Sequence, residues 1–423
     1  MDLTCDARMA FSIKSRLPCS GVGEPLMRIL TFTSLFPNAN RPVFGLFVFQ
    51  RISHLARRPG NLVRVVAPVP YFPSWIPSKR WGLFAQIPDV EMIGDLETHH
   101  PRYPLLPGML MPLHGLLMFL GCFLTVRRLH RQIHFDCIDS HYVYPDGFAA
   151  VLLGKILGLP VAVTARGTDI NVFPSFPSIR PMILWTLRQA AGIIAVSEAL
   201  KNIMTNLGVP AKNIAVIPNG VDAERFGVLK RAEARHKLGL PLRMKIALSV
   251  GSLTDVKNHA LLISAFAKVL QVRPEIRLYI LGEGPLLDKL EELTRKLHME
   301  EKVFLLGSRP NEELAAWFNA ADVSCLSSSR EGWPNVVMES LACGTPVVAT
   351  RVGGVPEIIV SPELGVLVEK ELESLAAGLQ FALSKDWDRN TLVQHAHARD
   401  WDQVASQVEQ CMDSQVIGRT SGE

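Results

Sequence analysis

Runs rich in β-branched and aromatic residues alternate with stretches of helical period along this chain, and no other feature restricts its fold as tightly. A strand followed by a helix cannot close a tight hairpin with the next strand. The crossover returns the chain in the same direction, so parallel sheets covered by helices are expected. Residues 28–36 ("RILTFTSLF") and 62–70 ("LVRVVAPVP") read as strands, with a turn and a helix between them. "CIDSHYVYPDGFAAVLLGKILGLPVAVTARGTDI" then reads as strand, helix and strand. In "AAGIIAVSEALKNIMTNLG" a strand precedes a helix that Ser197 opens and Gly208 closes, and residues 214–222 end this half. A second series follows at 246–253, 276–285, 303–310, "ADVSCLSSS" and "TPVVATRVGG". The charged stretch 223–245 between the two series has no strong strand signal and is expected to link them. Two doubly wound units of similar size are predicted, with ligands at the carboxyl ends of the strands, in the crevice between them.

Composition narrows the classes. A chain of 423 residues is long for one core, and 48% hydrophobic with 20% charged residues is ordinary globular usage. A net charge of +4 is too small for a nucleic-acid binder, so no nucleic-acid partner is expected, although Arg127, Arg128 and Arg131 could meet an anionic membrane surface. Seven scattered cysteines without a Cys-x-x-Cys pair argue against a disulfide framework or a zinc site and fit a reducing, cytoplasmic compartment. Residues 1–26 lack the apolar core of a signal peptide and read as an extension, with folding expected from Met27. The stretch 105–126 is apolar over about twenty residues, roughly bilayer length. Its prolines and glycines favour a loop and then a buried helix from about Leu113; an amphipathic patch on a membrane face is the alternative. Two "DWD" triplets in the tail, 386–388 and 400–402, read as solvated helix faces because neighbouring helical carboxylates diverge.

The densest chemistry lies in "REGWPNVVMESLACGTPVVATRVGGVPE", residues 330–357. Pro334 reads as the first position of a helix that passes Glu339 and stops near Gly344, with unpaired N–H groups at its start suited to phosphate or sugar oxygens. Glu331 would sit in the turn before it and Glu339 about two turns along it. Two acceptor-only carboxylates facing one crevice suit a polyhydroxylated ligand. The plainer alternative has Glu331 complementing the helix dipole and Glu339 pairing with a surface lysine. The turn "RVGGVPE" favours the ligand: Gly353 and Gly354 would let backbone approach it, and Pro356 and Glu357 begin another helix.

This segment resembles the donor-site signature of the retaining, nucleotide-sugar-dependent glycosyltransferases of family 4. Glu331 and Glu339 match the family's E-x7-E pair, followed by "GGVPE", and "VSEAL", "PNGVD" and "LGEGPLLDKL" are also similar to family segments. The resemblance implies an α/β GT-B fold of two Rossmann-like domains facing across a cleft. It places an acceptor domain at 27–225, a nucleotide-sugar domain at 226–385, and a helical tail at 386–423 packing back on the first domain. It implies that Glu339 accepts from ribose hydroxyls, that Glu331 lies beside the donor sugar, and that Gly332, Trp333, Pro334 and Asn335 offer backbone to it. Lys257 in "VGSLTDVKN" matches the phosphate-binding lysine, and Gly45 the glycine that approaches the diphosphate.

The chain departs from the family pattern at Ser252, where an arginine is usual, and at Arg166, where many relatives carry a histidine. Arg166 could supply the missing cation, or could pair with Asp169. His141, at a strand end, would touch acceptor or donor sugar, or would be a buried histidine satisfied by Asp139 or backbone. Asn219 and Gly220 are expected to shape the crevice, and the 307–310 turn to select the base. The resemblance implies no cofactor and no metal, with a nucleotide sugar as donor and a saccharide or lipid-linked acceptor at the inner face of a membrane. The rival readings are a non-catalytic nucleotide-sugar-binding partner of a membrane assembly and a nucleotide-sugar epimerase.

Overall fold

The computed structural model describes residues 27–71, 82–105 and 111–418. The extension 1–26 with Cys5 and Cys19, and residues 106–110 of the apolar stretch, lie outside the described residues. The first unit supplies β1 (Met27–Phe32), β2 (Asn61–Val66), β3 (Val69–Tyr71), β4 (Val90–Ile93), β5 (Leu96–His99), β6 (Arg102–Pro104), β7 (Cys137–His141), β8 (Val161–Ala165), β9 (Gly192–Ala195) and β10 (Ile214–Val216). Eight of these form a sheet in the order β10-β9-β8-β7-β1-β2-β5-β4, and β3 pairs with β6 alone. Every pairing is parallel except β4 with β5. The second unit contributes β11 (Lys245–Val250), β12 (Ile276–Leu281), β13 (Val303–Leu305), β14 (Val323–Leu326), β15 (Val347–Thr350) and β16 (Gly365–Val368). They form an all-parallel sheet in the order β13-β12-β11-β14-β15-β16.

The predicted α/β class and two doubly wound units are met, and the differences have local causes. The single strand expected at 62–70 is two strands in different sheets. Pro68 has no N–H to donate, and the chain leaves one ladder through Ala67 N–H to the His99 carbonyl (2.8 Å) before joining another. Four short strands, β4, β5, β6 and β16, carry too few residues to register a period of two. The stretch expected to be a plain link contains the helix Arg231–Lys237, held by Arg235 to the Ala320 carbonyl (2.9 Å) and to Asp322 (2.7 Å).

In both sheets the strand order reverses at a central strand, β1 in the first and β11 in the second. Loops leaving the carboxyl ends there diverge and open a crevice. The two units are locked together around it. One buried cluster holds Val196 and Leu200 of the first unit together with Trp333, Val352 and Val355 of the second. The Glu357 carboxylate accepts from Glu198 N (2.8 Å) and Ala199 N (2.9 Å), beside Ser197, whose hydroxyl accepts from Leu200 N (3.2 Å). A carboxylate of one unit thus caps a helix of the other, satisfying N–H groups that helix cannot satisfy itself.

After the second sheet, helix Trp401–Cys411 crosses to helix Leu46–Arg57, burying Trp401, Val404, Ala405 and Val408 with Met27, Val48 and Ile52. The "DWD" triplets are helix starts as well as solvated faces. Asp388 accepts from Asn390 N (3.0 Å) and Asp400 from Gln403 N (2.8 Å), each capping the helix that follows it. The helix expected from about Leu113 spans His114–Ile133, and it is half-buried rather than buried. Gly115, Met118, Cys122, Val126 and Leu129 recur at helical spacing and face the core, while Leu116, Leu120 and Leu124 face out.

Candidate donor-binding cavity

Loops after β8, β10, β11 and β14 converge on an open cavity of about 340 Å³, large enough for a small-molecule ligand. Phe47, Arg166, Thr168, Asn171 and Asn219 line it from the first unit; Ser252, Thr254, Lys257, Arg330, Glu331, Gly332, Trp333 and Asn335 line it from the second. Three cations face a single carboxylate there.

Arg166 is a buried guanidinium at the wall. Its Nη1 donates to Asn219 Oδ1 (2.8 Å), and its Nη2 lies 2.7 Å from His141 Nδ1. An arginine can only donate, so His141 Nδ1 must accept and the ring proton sits on Nε2, 3.3 Å from Asp139 Oδ2. Burial holds the His141 imidazole down to about 4, so it stays neutral at physiological pH. Burial, and then the neighbouring Arg51, also push the Arg166 guanidinium well below its usual range, with Asp139 and Asp169 opposing. Arg166 Nε has no partner among the described residues, although it is buried. A guanidinium at a cavity wall is suited to an anion. The Asn219 amide continues the chain across the crevice by donating to Asn335 Oδ1 (3.0 Å).

On the facing wall Lys257 Nζ lies 2.6 Å from Glu331 Oε1, which also accepts from Ser328 Oγ (2.6 Å). Ser327 Oγ donates to the Lys257 carbonyl (2.9 Å) and Ser329 N to the Val256 carbonyl (2.7 Å), so the loop after β11 is bolted to the loop after β14. Glu331 and Glu339 do not share one cavity. Glu339 lines a smaller neighbour of about 60 Å³ with Gln50, Asp222 and Arg225, and Phe47 and Asn335 border both spaces.

Enclosure raises the Glu339 carboxyl to about 7, with Arg225 opposing and Asp222 adding. A carboxyl raised on folding stabilises the fold below its ordinary 4.5, and that contribution is lost as pH climbs through about 7. The empty protein is therefore expected to lose thermal stability between pH 4.5 and about 7 by an amount that Glu339→Gln removes. Parallel melting series on the two proteins check this. Equal slopes would assign the titration to another group, such as Asp146, which burial also raises to about 7.

Several predicted residues have different places from those expected. His141 is fully buried behind Arg166, beside Asp139, and does not line the cavity. Asp169 is not the side-chain partner of Arg166. Its carboxylate accepts from the backbone of Val143 (2.9 Å), Arg166 (3.1 Å) and Gly167 (2.7 Å), shaping the turn. Gly45 does not line the cavity; at φ 69° it starts helix Leu46–Arg57, and a Cβ there would strike the Leu35 carbonyl. Gly353 and Gly354 approach the backbone of Glu331 and Gly332 rather than an open site, and Gly332 in turn meets the Arg166 carbonyl. Pro334 is the residue before the helix Asn335–Ala342, not its first position. Gly220 packs on the Asp400 backbone, and the 307–310 turn lines neither cavity. Phe47, Asn171 and Arg330 line the cavity without being among the residues expected there. Phe47 carried one signal, its position two residues after the Gly45 turn.

Comparison with known proteins bears on this geometry. Residues 230–399 match the family described as glycosyl transferases group 1, and residues 87–225 match glycosyltransferase family 4. The chain is 36% identical over 316 residues to D-inositol 3-phosphate glycosyltransferase of Corynebacterium urealyticum, covering 69% of this chain and 74% of that protein. It is 30% identical over 236 residues to N-acetyl-alpha-D-glucosaminyl L-malate synthase of Bacillus anthracis, covering 55% of this chain and 61% of that one. Among solved structures, Anabaena HepE in complex with UDP shares the fold, with a TM-score of 0.69 at 20% identity, covering 92% of this chain and all of that one.

Proposed function

Because this chain belongs to the group 1 glycosyltransferases and has their GT-B fold, we propose that it moves a sugar from a nucleotide-sugar donor to a saccharide or lipid-linked acceptor. The product is a cell-surface polysaccharide or glycolipid precursor, made at the cytoplasmic face of the membrane. The observation that carries this reading is the pairing of Arg166 on one wall with Lys257 and Glu331 on the other, across a cavity built by both units.

In this reading the diphosphate lies between Arg166 and Lys257, the donor sugar beside Glu331 and the turn from Gly332 to Asn335, and the ribose against Glu339. The bond from the anomeric carbon to the phosphate oxygen breaks, and its electron pair goes to that oxygen. Both cations stabilise the charge that develops there. The acceptor hydroxyl attacks from the same face and passes its proton to the departing phosphate, so configuration is retained. The lone carboxylate of the cavity, Glu331, already accepts from Lys257 and Ser328, which supports a proton route through the phosphate. No metal is required, because side-chain cations take the charge. Enclosure of the donor between the two units excludes water and suppresses hydrolysis.

Calorimetric titration with UDP, GDP and ADP in the presence of EDTA, repeated on Glu339→Ala, tests the donor site. One nucleotide is expected to bind at micromolar affinity and to lose most of that affinity on substitution. No binding, or no effect of the substitution, would remove the donor-site assignment, and binding without turnover of the matching nucleotide sugar would favour the non-catalytic partner. Proton NMR of the product of the matching donor reads the anomeric configuration directly.

A further inference from the structure

The first unit carries an outer face that the cleft chemistry does not use. It consists of the helices His114–Ile133, Phe148–Leu157 and Arg180–Gln189, the middle one packing against the other two and on β7 and β8. On the first helix Leu116, Leu120 and Leu124 recur every four residues and are 42%, 58% and 74% exposed. Arg127, Arg128 and Arg131 follow them, all exposed. The second helix ends on exposed Lys155 and Ile156, and the third exposes Arg180 and Arg188. Lys155 Nζ lies 5.9 Å from the Trp185 ring, which joins these two helices at the surface. Arg180, Leu184 and Arg188, again four residues apart, line a groove of about 670 Å³ together with Trp185.

Charge on this face has one sign. Residues 111–190 contain no glutamate and four aspartates. Asp139, Asp146 and Asp169 are buried, and Asp136 is half-buried, with Oδ2 accepting from Arg28 N (2.7 Å). Six exposed cations therefore stand without an exposed carboxylate among the described residues of this stretch. A helix face that only meets water carries polar residues of mixed sign, not a leucine row that ends in arginines.

We propose that this three-helix face docks on an anionic bilayer, with the leucine row entering the interface and the arginines and Lys155 meeting lipid phosphates. The proposal deepens the preceding one by naming the surface that brings a lipid-linked acceptor to the first unit; the face itself is read without reference to the donor site. A second copy of the chain is the poorer occupant, because a two-fold contact would set six cations against six.

Flotation of the full chain with phosphatidylcholine vesicles, with and without phosphatidylglycerol and at low and high salt, tests the proposal. Binding is expected only with phosphatidylglycerol and should weaken with salt. Neutralising Arg127, Arg128 and Arg131 to Gln should reduce partitioning by on the order of a hundredfold, at roughly fivefold for each residue. Leu120→Glu with Leu124→Glu should abolish binding without lowering the melting temperature, since both side chains are exposed. Lys289→Glu with Lys296→Glu, on an exposed helix of the second unit, should change nothing. Absence of vesicle binding, equal binding to neutral vesicles, or equal loss in the second-unit control would overturn the proposal. So would a concentration-dependent dimer that the leucine substitutions dissociate. Nucleotide titration of the same variants keeps the two readings apart: intact nucleotide binding with failed flotation removes the docking face and leaves the donor site standing.

Discussion

Arg166→Ala is expected to lower kcat by about 10²–10³-fold, the usual cost of removing one preorganised donor from developing charge. The melting temperature should move by only a few degrees. Two effects oppose each other in the fold. His141 Nδ1 and Asn219 Oδ1 lose their donor, at about 1–3 kcal/mol for each unsatisfied buried group. Against that, a guanidinium buried near Arg51 is no longer desolvated. A large loss of turnover with a small loss of stability is what separates a residue placed for chemistry from one placed for packing. Arg166→Lys should recover little, because a single ammonium cannot donate to Asn219 and His141 and still present a donor to the cavity. Steady-state kinetics and thermal melts of the three proteins check the expectation. Near-normal kcat in the alanine variant would remove Arg166 from the reaction and leave it as a strut between β7, β8 and the Asn219 turn.

Lys257→Ala is expected to cost turnover by about 10²-fold or more and nucleoside-diphosphate affinity by roughly 10–100-fold, the range for a charge-assisted hydrogen bond. Its loss leaves the Glu331 carboxylate, 11% exposed, with the Ser328 hydroxyl as its remaining partner. Two roles are possible for the lysine, and the double variant distinguishes them. If Lys257 serves the diphosphate, Lys257→Ala with Glu331→Ala regains part of the stability, with a coupling of about 0.5–3 kcal/mol, and regains no turnover. If Lys257 is only the counterion of Glu331, removing both restores turnover toward that of Glu331→Ala alone. Nucleotide affinity should also fall with ionic strength in the wild type and less steeply in Lys257→Ala, since a partly exposed ammonium is screened.

How far the site was legible varies by residue. Lys257 and Glu331 stand in short motifs, and the fold sets Nζ of one 2.6 Å from Oε1 of the other. Glu339 belongs to the same motif, but its separate, enclosed space depends on Asp222 and Arg225, which a different loop delivers. His141 and Arg166 each stand out in the sequence, while their contact does not, because nothing local to either residue encodes a partner 25 positions away. Glu357 shows the limit most clearly. In sequence it starts a helix of its own; in the structure it caps another one 159 residues earlier.

The sequence by itself determined the α/β class, the alternation of strands and helices, and the short segments that build the cavity walls. These follow from side-chain periodicity and turn chemistry, which act over a few residues. Tertiary structure alone decided which glycines face backbone instead of ligand, which histidine is buried behind which arginine, and which leucines of the apolar helix remain exposed. Each of those depends on what another part of the chain covers. Burial and desolvation, which set charge state and contact, are properties of the packed whole and not of any local stretch.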